Sequence, residues 1–195
     1  QNAYNSYRQE RDGVKIKMKE AKEFIDLAHN HGSTSNDPKM WNYRSKIYLE
    51  IIQNHAELDS NAVFKATEAH IRCLDRNKKG KIIVKKWTRE DDILDGIYIC
   101  GVYLFDGAAK DYNNKDYKNA LKKYQMIFKI IPLDTKDKLK TSNIIPEAIY
   151  YNMYLSSKQL EDVDDQIKYI QKCIDLNSLN PDVYKEISLI YLGKG

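Results

Sequence analysis

The sequence predicts an all-α protein built from antiparallel helical hairpins. Apolar residues recur at helical spacing in window after window; Ala120, Tyr124 and Ile127, at i, i+4 and i+7, share one face. Small and large side chains face each other between neighbouring windows, Ala108 and Tyr112 against Ala120 and Tyr124, which lets two helix axes approach closely. Eight glycines and four prolines in 195 residues leave long uninterrupted stretches for such helices.

Taken in order, residues 1–12 are polar around Tyr4 and Tyr7 and read as a partial helix. Residues 14–29 place Met18, Ala21, Ile25 and Ala28 on one face. Residues 30–37 are a loop by composition. Asp37-Pro38 then starts a helix over 38–55, with Asp as cap and Pro at the first position. Its large–small–large set is Trp41, Ser45 and Tyr48. The partner helix, 62–75, offers Ala66, His70 and Cys73. Residues 76–90 are read as an excursion that pins Ile82, Ile83 and Trp87 against the helices. A long helix spans 91–112, favoured by Asp91 and Asp92 at its positive end. A tight turn at Asn113-Asn114-Lys115-Asp116 joins it to a helix ending before Pro132. A polar linker, 133–145, precedes a helix opened by Pro146. Its partner at 163–176 turns Ile167, Ile170, Cys173 and Ile174 inward. A last helix, 181–192, has no partner after it and reads either as a cap or as the point where further repeats or another domain are cut away.

The stretch 101–133 resembles a tetratricopeptide repeat through Ala108, Tyr112, Tyr117, Ala120, Tyr124, Ile127 and Pro132. Leu104 and Gly107 depart from its pattern. Weaker copies give hairpins at 38–75, 91–131 and 146–176, flanked by the helices 14–29 and 181–192, in one domain over 1–195. Arg44 stands where the repeat has a leucine, which implies a less buried position. The resemblance implies a right-handed superhelix, a tetratricopeptide-like solenoid, of an exported type found in Bacteroidetes. It also implies a periplasmic or cell-surface location after signal-peptide removal. The opening Gln1-Asn2-Ala3, without an initiator methionine, suits that reading or a trimmed chain.

Composition bounds the function. At 42% hydrophobic and 31% charged, the chain is of folded rather than disordered type. Net charge is a mild +4, too small to imply nucleic acid. Three isolated cysteines, Cys73, Cys100 and Cys173, make no disulfide framework. No zinc or EF-hand spacing, serine elbow or phosphate loop is present, so neither metal nor cofactor is expected. His70 and Cys73 lie three apart on one helix and could touch, the one hydrolase-like pairing. Both also occupy seam positions, where packing accounts for them.

The expected function is therefore non-catalytic: a scaffold binding a protein or peptide on a curved helical face, with no enzymatic activity. The candidate partner-binding residues are Asn42, Lys46, Glu50, Phe105, Tyr112, Asn152 and Ser156. Ala109 stands where carboxylate-clamping relatives of the repeat place an asparagine, which argues against that clamp. The alternative is an anionic ligand or membrane surface met by Lys78, Lys79, Lys81, Lys85, Lys86, Trp87 and Arg89. Nucleic acid is disfavoured, and the terminal helix offers a face for self-association.

Overall fold

The computed structural model describes residues 4–5 and 14–193, and of residues 14–16 the backbone alone. The partial helix expected over 1–12 lies outside the described residues except at 4 and 5, which are helical. Beyond these two residues, nine α-helices form among the described residues: α1 Val14–Asn30, α2 Pro38–Asn54, α3 Ala62–Cys73, α4 Glu90–Asn113, α5 Tyr117–Ile130, α6 Lys138–Thr141, α7 Pro146–Gln159, α8 Val163–Asp175 and α9 Pro181–Gly193. Among the described residues no strand forms, and one antiparallel bridge, Arg76 to Ile82, stands isolated. No described helix is long and apolar enough to cross a membrane.

Aspartates set three of the helix starts, because their carboxylates accept amide hydrogens that a first turn leaves unpaired. Asp37 accepts from the Lys39 amide at 2.8 Å, with Pro38 leading α2. Asp116 caps α5 through the Asn119 amide, and Asp162 caps α8 through the Asp165 amide. Several exits between helices use left-handed backbone without glycine. Lys115 follows α4 at φ 64°, Asn143 follows α6, Glu161 follows α7 at φ 56° and Asn177 follows α8.

The chain divides into two compact units, residues 1–103 and 104–195, with the boundary inside α4. In the first unit α1 packs on α2 and α2 on α3. Its core holds Met18, Ala21, Ile25, Trp41, Ile47, Tyr48, Ile51, Ala66 and Ile97. Arg44 is the exception to the apolar pattern. It is only 3% exposed, against the expectation of a less buried position. The reason is Asp26 on α1, whose Oδ1 accepts from Arg44 Nη1 at 2.7 Å, while the guanidinium lies 4.7 Å from the Tyr48 ring centre. Pairing and stacking together let this charge be buried.

In the second unit α5 packs on α7, α7 on α8 and α8 on α9. Ala108, Ala120, Tyr124, Ile127 and Ile130 are all buried. Phe105 meets Tyr124 edge to face at 5.9 Å, and Lys123 reaches Asp111 at 2.6 Å. Ile170 and Cys173 are buried on α8, while Ile167 and Ile174 are half-buried. The linker 133–145 carries the single turn α6, whose Leu139 is buried with Ile144.

The excursion 76–90 differs from its expected packing. Ile82 and Val84 are buried, whereas Ile83 is half-buried and Trp87 is 37% exposed. The Asn77 carboxamide oxygen accepts from the Lys79 and Lys81 amides. Gly80 closes the turn at φ 71°. After that tight turn Ile82 and Val84 face inward, while Trp87, expected to be pinned, stays partly exposed.

Candidate functional site

The groups in the first unit with the most chemistry to offer meet where α2, α3 and α4 supply Ser45, His70, Cys73, Gly96 and Cys100. His70 Nδ1 lies 2.8 Å from the Ala66 carbonyl oxygen, one turn back on α3. A carbonyl only accepts, so this nitrogen carries the ring hydrogen and donates it. The ring stands against α4 at Gly96: a Cβ added there would lie 2.1 Å from His70 Nε2. Cys100, one turn further along α4, brings its Sγ to 3.9 Å from His70 Nδ1. Cys73 turns elsewhere. Its thiol donates to Ser45 Oγ at 3.8 Å, and Ser45 Oγ donates to the Asn42 carbonyl at 2.9 Å.

The structure thus pairs His70 with Cys100 and not with Cys73. Residues three apart on a helix are neighbours, but the Ser45 hydroxyl captures Cys73.

All three cysteines are free and buried. Burial pushes the Cys100 thiol up to about 12, with Thr67 opposing weakly. Burial likewise takes Cys73 to about 11 against the Ser45 bond, and Cys173 to about 11 with Glu147 adding to the rise. His70 is pushed down to about 4, first by burial; the Ala66 carbonyl opposes this and the positive Lys46 adds to it. At neutral pH the Cys100–His70 pair is therefore a thiol beside a neutral imidazole, both enclosed.

The basic segment flanks this cluster. Lys46 on α2 donates to the Trp87 carbonyl at 3.5 Å, tying the cluster's edge to the excursion. Arg76 bonds Glu90 and donates to the Gly80 carbonyl at 2.8 Å, and Arg89 pairs with Asp92 at 2.7 Å. Lys78, Lys79, Lys81, Lys85 and Lys86 are exposed. An open pocket of about 310 Å³ lies between Arg76, Lys81, Lys85 and Arg89.

The expected partner-binding set falls in both units. Asn42 is 1% exposed, with neither side-chain atom hydrogen-bonded, and Ser156 is fully buried with its hydroxyl on the Asn152 carbonyl. Neither side chain is presented to a partner. Lys46, Glu50, Phe105, Tyr112 and Asn152 are half-buried. Tyr112 and Asn152 border a pocket of about 210 Å³ in the second unit. Among the described residues no three His, Cys, Asp or Glu come together as metal ligands.

Sequence reasoning missed Gly96 and Cys100 as members of the cluster. A glycine inside a helical window was the available signal, since it commonly marks a close approach.

A family model described as Ssu72-like protein matches residues 16–187. No curated protein and no solved structure matches the chain. The match overturns the tetratricopeptide assignment and its right-handed solenoid, leaving the all-α, strand-free character of the described residues. Small-against-large packing misled because any closely packed pair of antiparallel helices needs it, whether or not the pair belongs to a repeat. The matched family is one of intracellular phosphatases. The non-catalytic scaffold, the absence of enzymatic activity, and the signal peptide with a periplasmic or surface location all rested on the repeat resemblance and fall with it.

Proposed function

The chain belongs to the Ssu72-like protein family, and on that premise we propose that it hydrolyses phosphate monoesters through a cysteine nucleophile, Cys100, with His70 as its proton partner. The observation that carries this reading is the 3.9 Å approach of Cys100 Sγ to His70 Nδ1 within the matched span. In the step proposed, the thiol proton passes to His70 and the thiolate attacks phosphorus. An S–P bond forms, the ester P–O bond breaks, and the leaving oxygen takes the proton from His70. Water then cleaves the S–P bond, releasing phosphate and restoring the thiol.

The enclosed pair is the resting form of this site. A reactive thiolate needs an electropositive, partly exposed setting, and Cys100 is fully buried and protonated. His70 must also release the Ala66 carbonyl before Nδ1 can take a proton. Turnover on this reading requires α3 and α4 to part at the Gly96 contact. Lys46, whose positive charge acts on His70, is the cation that this reading assigns to an incoming phosphoryl group.

The test is hydrolysis of p-nitrophenyl phosphate by the full chain and by single Cys→Ser variants. Cys100→Ser should lower turnover at least ~100-fold, on the scale of losing a catalytic nucleophile, while Cys73→Ser and Cys173→Ser keep most of it. Thiol modification by a disulfide reagent should be slow and should track the loss of activity. Absence of turnover, or a Cys100→Ser variant as active as the parent, refutes the assignment.

A further inference from the structure

The second unit holds a pocket of about 580 Å³ that the proposed chemistry does not use. Its volume is that of a site for a small organic molecule. The 131–146 connection builds it: the 3-10 turn Ile131–Leu133, the turn α6 and the extended run into α7 fold around Leu139 and Ile144. Ile131, Ile144 and Leu176 give the wall its apolar character.

Charge at this pocket is one-sided. Asp134, Asp137 and Glu147 line it, against Lys140 alone. Two of the carboxylates are held in place. Asp134 accepts from the Lys138 and Leu139 amides at 3.0 and 2.7 Å. Glu147 Oε1 accepts from Ser178 Oγ at 2.5 Å. The second Glu147 oxygen has no hydrogen-bond donor among the described residues. Lys140 makes no ion pair among them. The N-terminus of α7 contributes roughly half a positive charge, which offsets only part of the two-charge excess.

We propose that this pocket binds an organic cation with a hydrophobic body, an aralkyl ammonium in chemical class. The apolar wall takes the body, and the ammonium lies toward Glu147 and Asp137. A neutral isostere keeps the first interaction and loses the second, so the two contributions separate.

The experiment uses the full chain with 2-phenylethylammonium and 2-phenylethanol as probes, read from the backbone amide resonances of Leu139 and Ile144. The ammonium probe should shift both resonances saturably and bind at least fivefold tighter than the alcohol. Glu147→Gln should reduce that preference to less than twofold. Because Glu147 also holds Ser178, Asp137→Asn on the exposed turn provides a second reading and should at least halve the preference. Equal affinities for the two probes, unmoved resonances, or a preference that survives both substitutions would overturn the proposal.

Discussion

Alanine at Gly96 should lower the free energy of unfolding by about 3 kcal/mol, the upper range for overpacking a closed core. The new methyl carbon would stand 2.1 Å from His70 Nε2 and 2.4 Å from Cδ2. The ring has no solvent to swing into, being 3% exposed and tied to the Ala66 carbonyl. Relief requires α3 and α4 to separate or the Nδ1–H bond to break, and a buried donor left unpaired costs about 1–3 kcal/mol. Helix propensity runs the other way: alanine is favoured over glycine by about 1 kcal/mol in a helix interior. The clash outweighs it. Urea denaturation of Gly96→Ala, His70→Ala and the double variant checks the cause. The double variant should recover most of the loss of Gly96→Ala measured against His70→Ala alone. A Gly96→Ala protein more stable than the parent would mean that propensity governs the position and that the His70 contact is loose.

Removing the Asp26 carboxylate should cost a similar amount, about 3 kcal/mol in Asp26→Ala, at the low end of the range for breaking a buried pair. Arg44 would keep its charge in a nearly closed position, and Tyr48 would lose the acceptor that its hydroxyl meets at 2.6 Å. Lys22, 3.0 Å from the same carboxylate, would lose a partner too. The effect is at the low end because the Asp26 side chain is 25% exposed and water can partly replace it.

The same carboxylate makes stability depend on acid. Burial alone would raise its pKa, but bonds from Tyr48, Arg44 and Lys22 outweigh burial and hold it at about 2, below the ordinary carboxylate value of 3.8. A depressed carboxylate contributes its full stabilisation above the unfolded value and loses it as pH falls through the folded one. The Asp26 contribution should therefore be constant above pH 5 and fade between about pH 4 and pH 2. Asp26→Asn should be less stable than the parent at pH 7, with the gap narrowing toward pH 2. A gap that stays constant over that range would exclude the linkage.

These effects mark how far sequence reaches. The buried faces of α1, α2, α5 and α8 follow from periodicity, because a 3.6-residue repeat places those residues together whatever lies opposite. Arg44 did not follow, because its partner Asp26 stands 18 positions away on another helix and no local pattern joins them. The thiol–imidazole pair failed for the same reason. Cys73 is the neighbour of His70 in sequence, but Cys100 is 30 positions off and is the one that approaches it. The burial of Val84 and the exposure of Trp87 follow a turn at Asn77–Gly80, and register after a turn is set by its hydrogen bonds as well as by hydrophobicity. Family membership lay beyond local reading altogether, since closely packed helix pairs share their small-and-large chemistry across unrelated folds.

The left-handed exits after α4 and α7 leave room for improvement by substitution. Asparagine tolerates that backbone region, but Lys115 and Glu161 occupy it with long side chains, and an L-residue there is strained by roughly 1 kcal/mol relative to glycine. Lys115→Gly and Glu161→Gly together should raise the melting temperature by a few degrees in a calorimetric scan, the shift that about 1–2 kcal/mol gives a chain of this size. Natural chains commonly retain such margin because selection asks only for sufficiency. These two positions offer a more durable preparation with no change to the buried cluster.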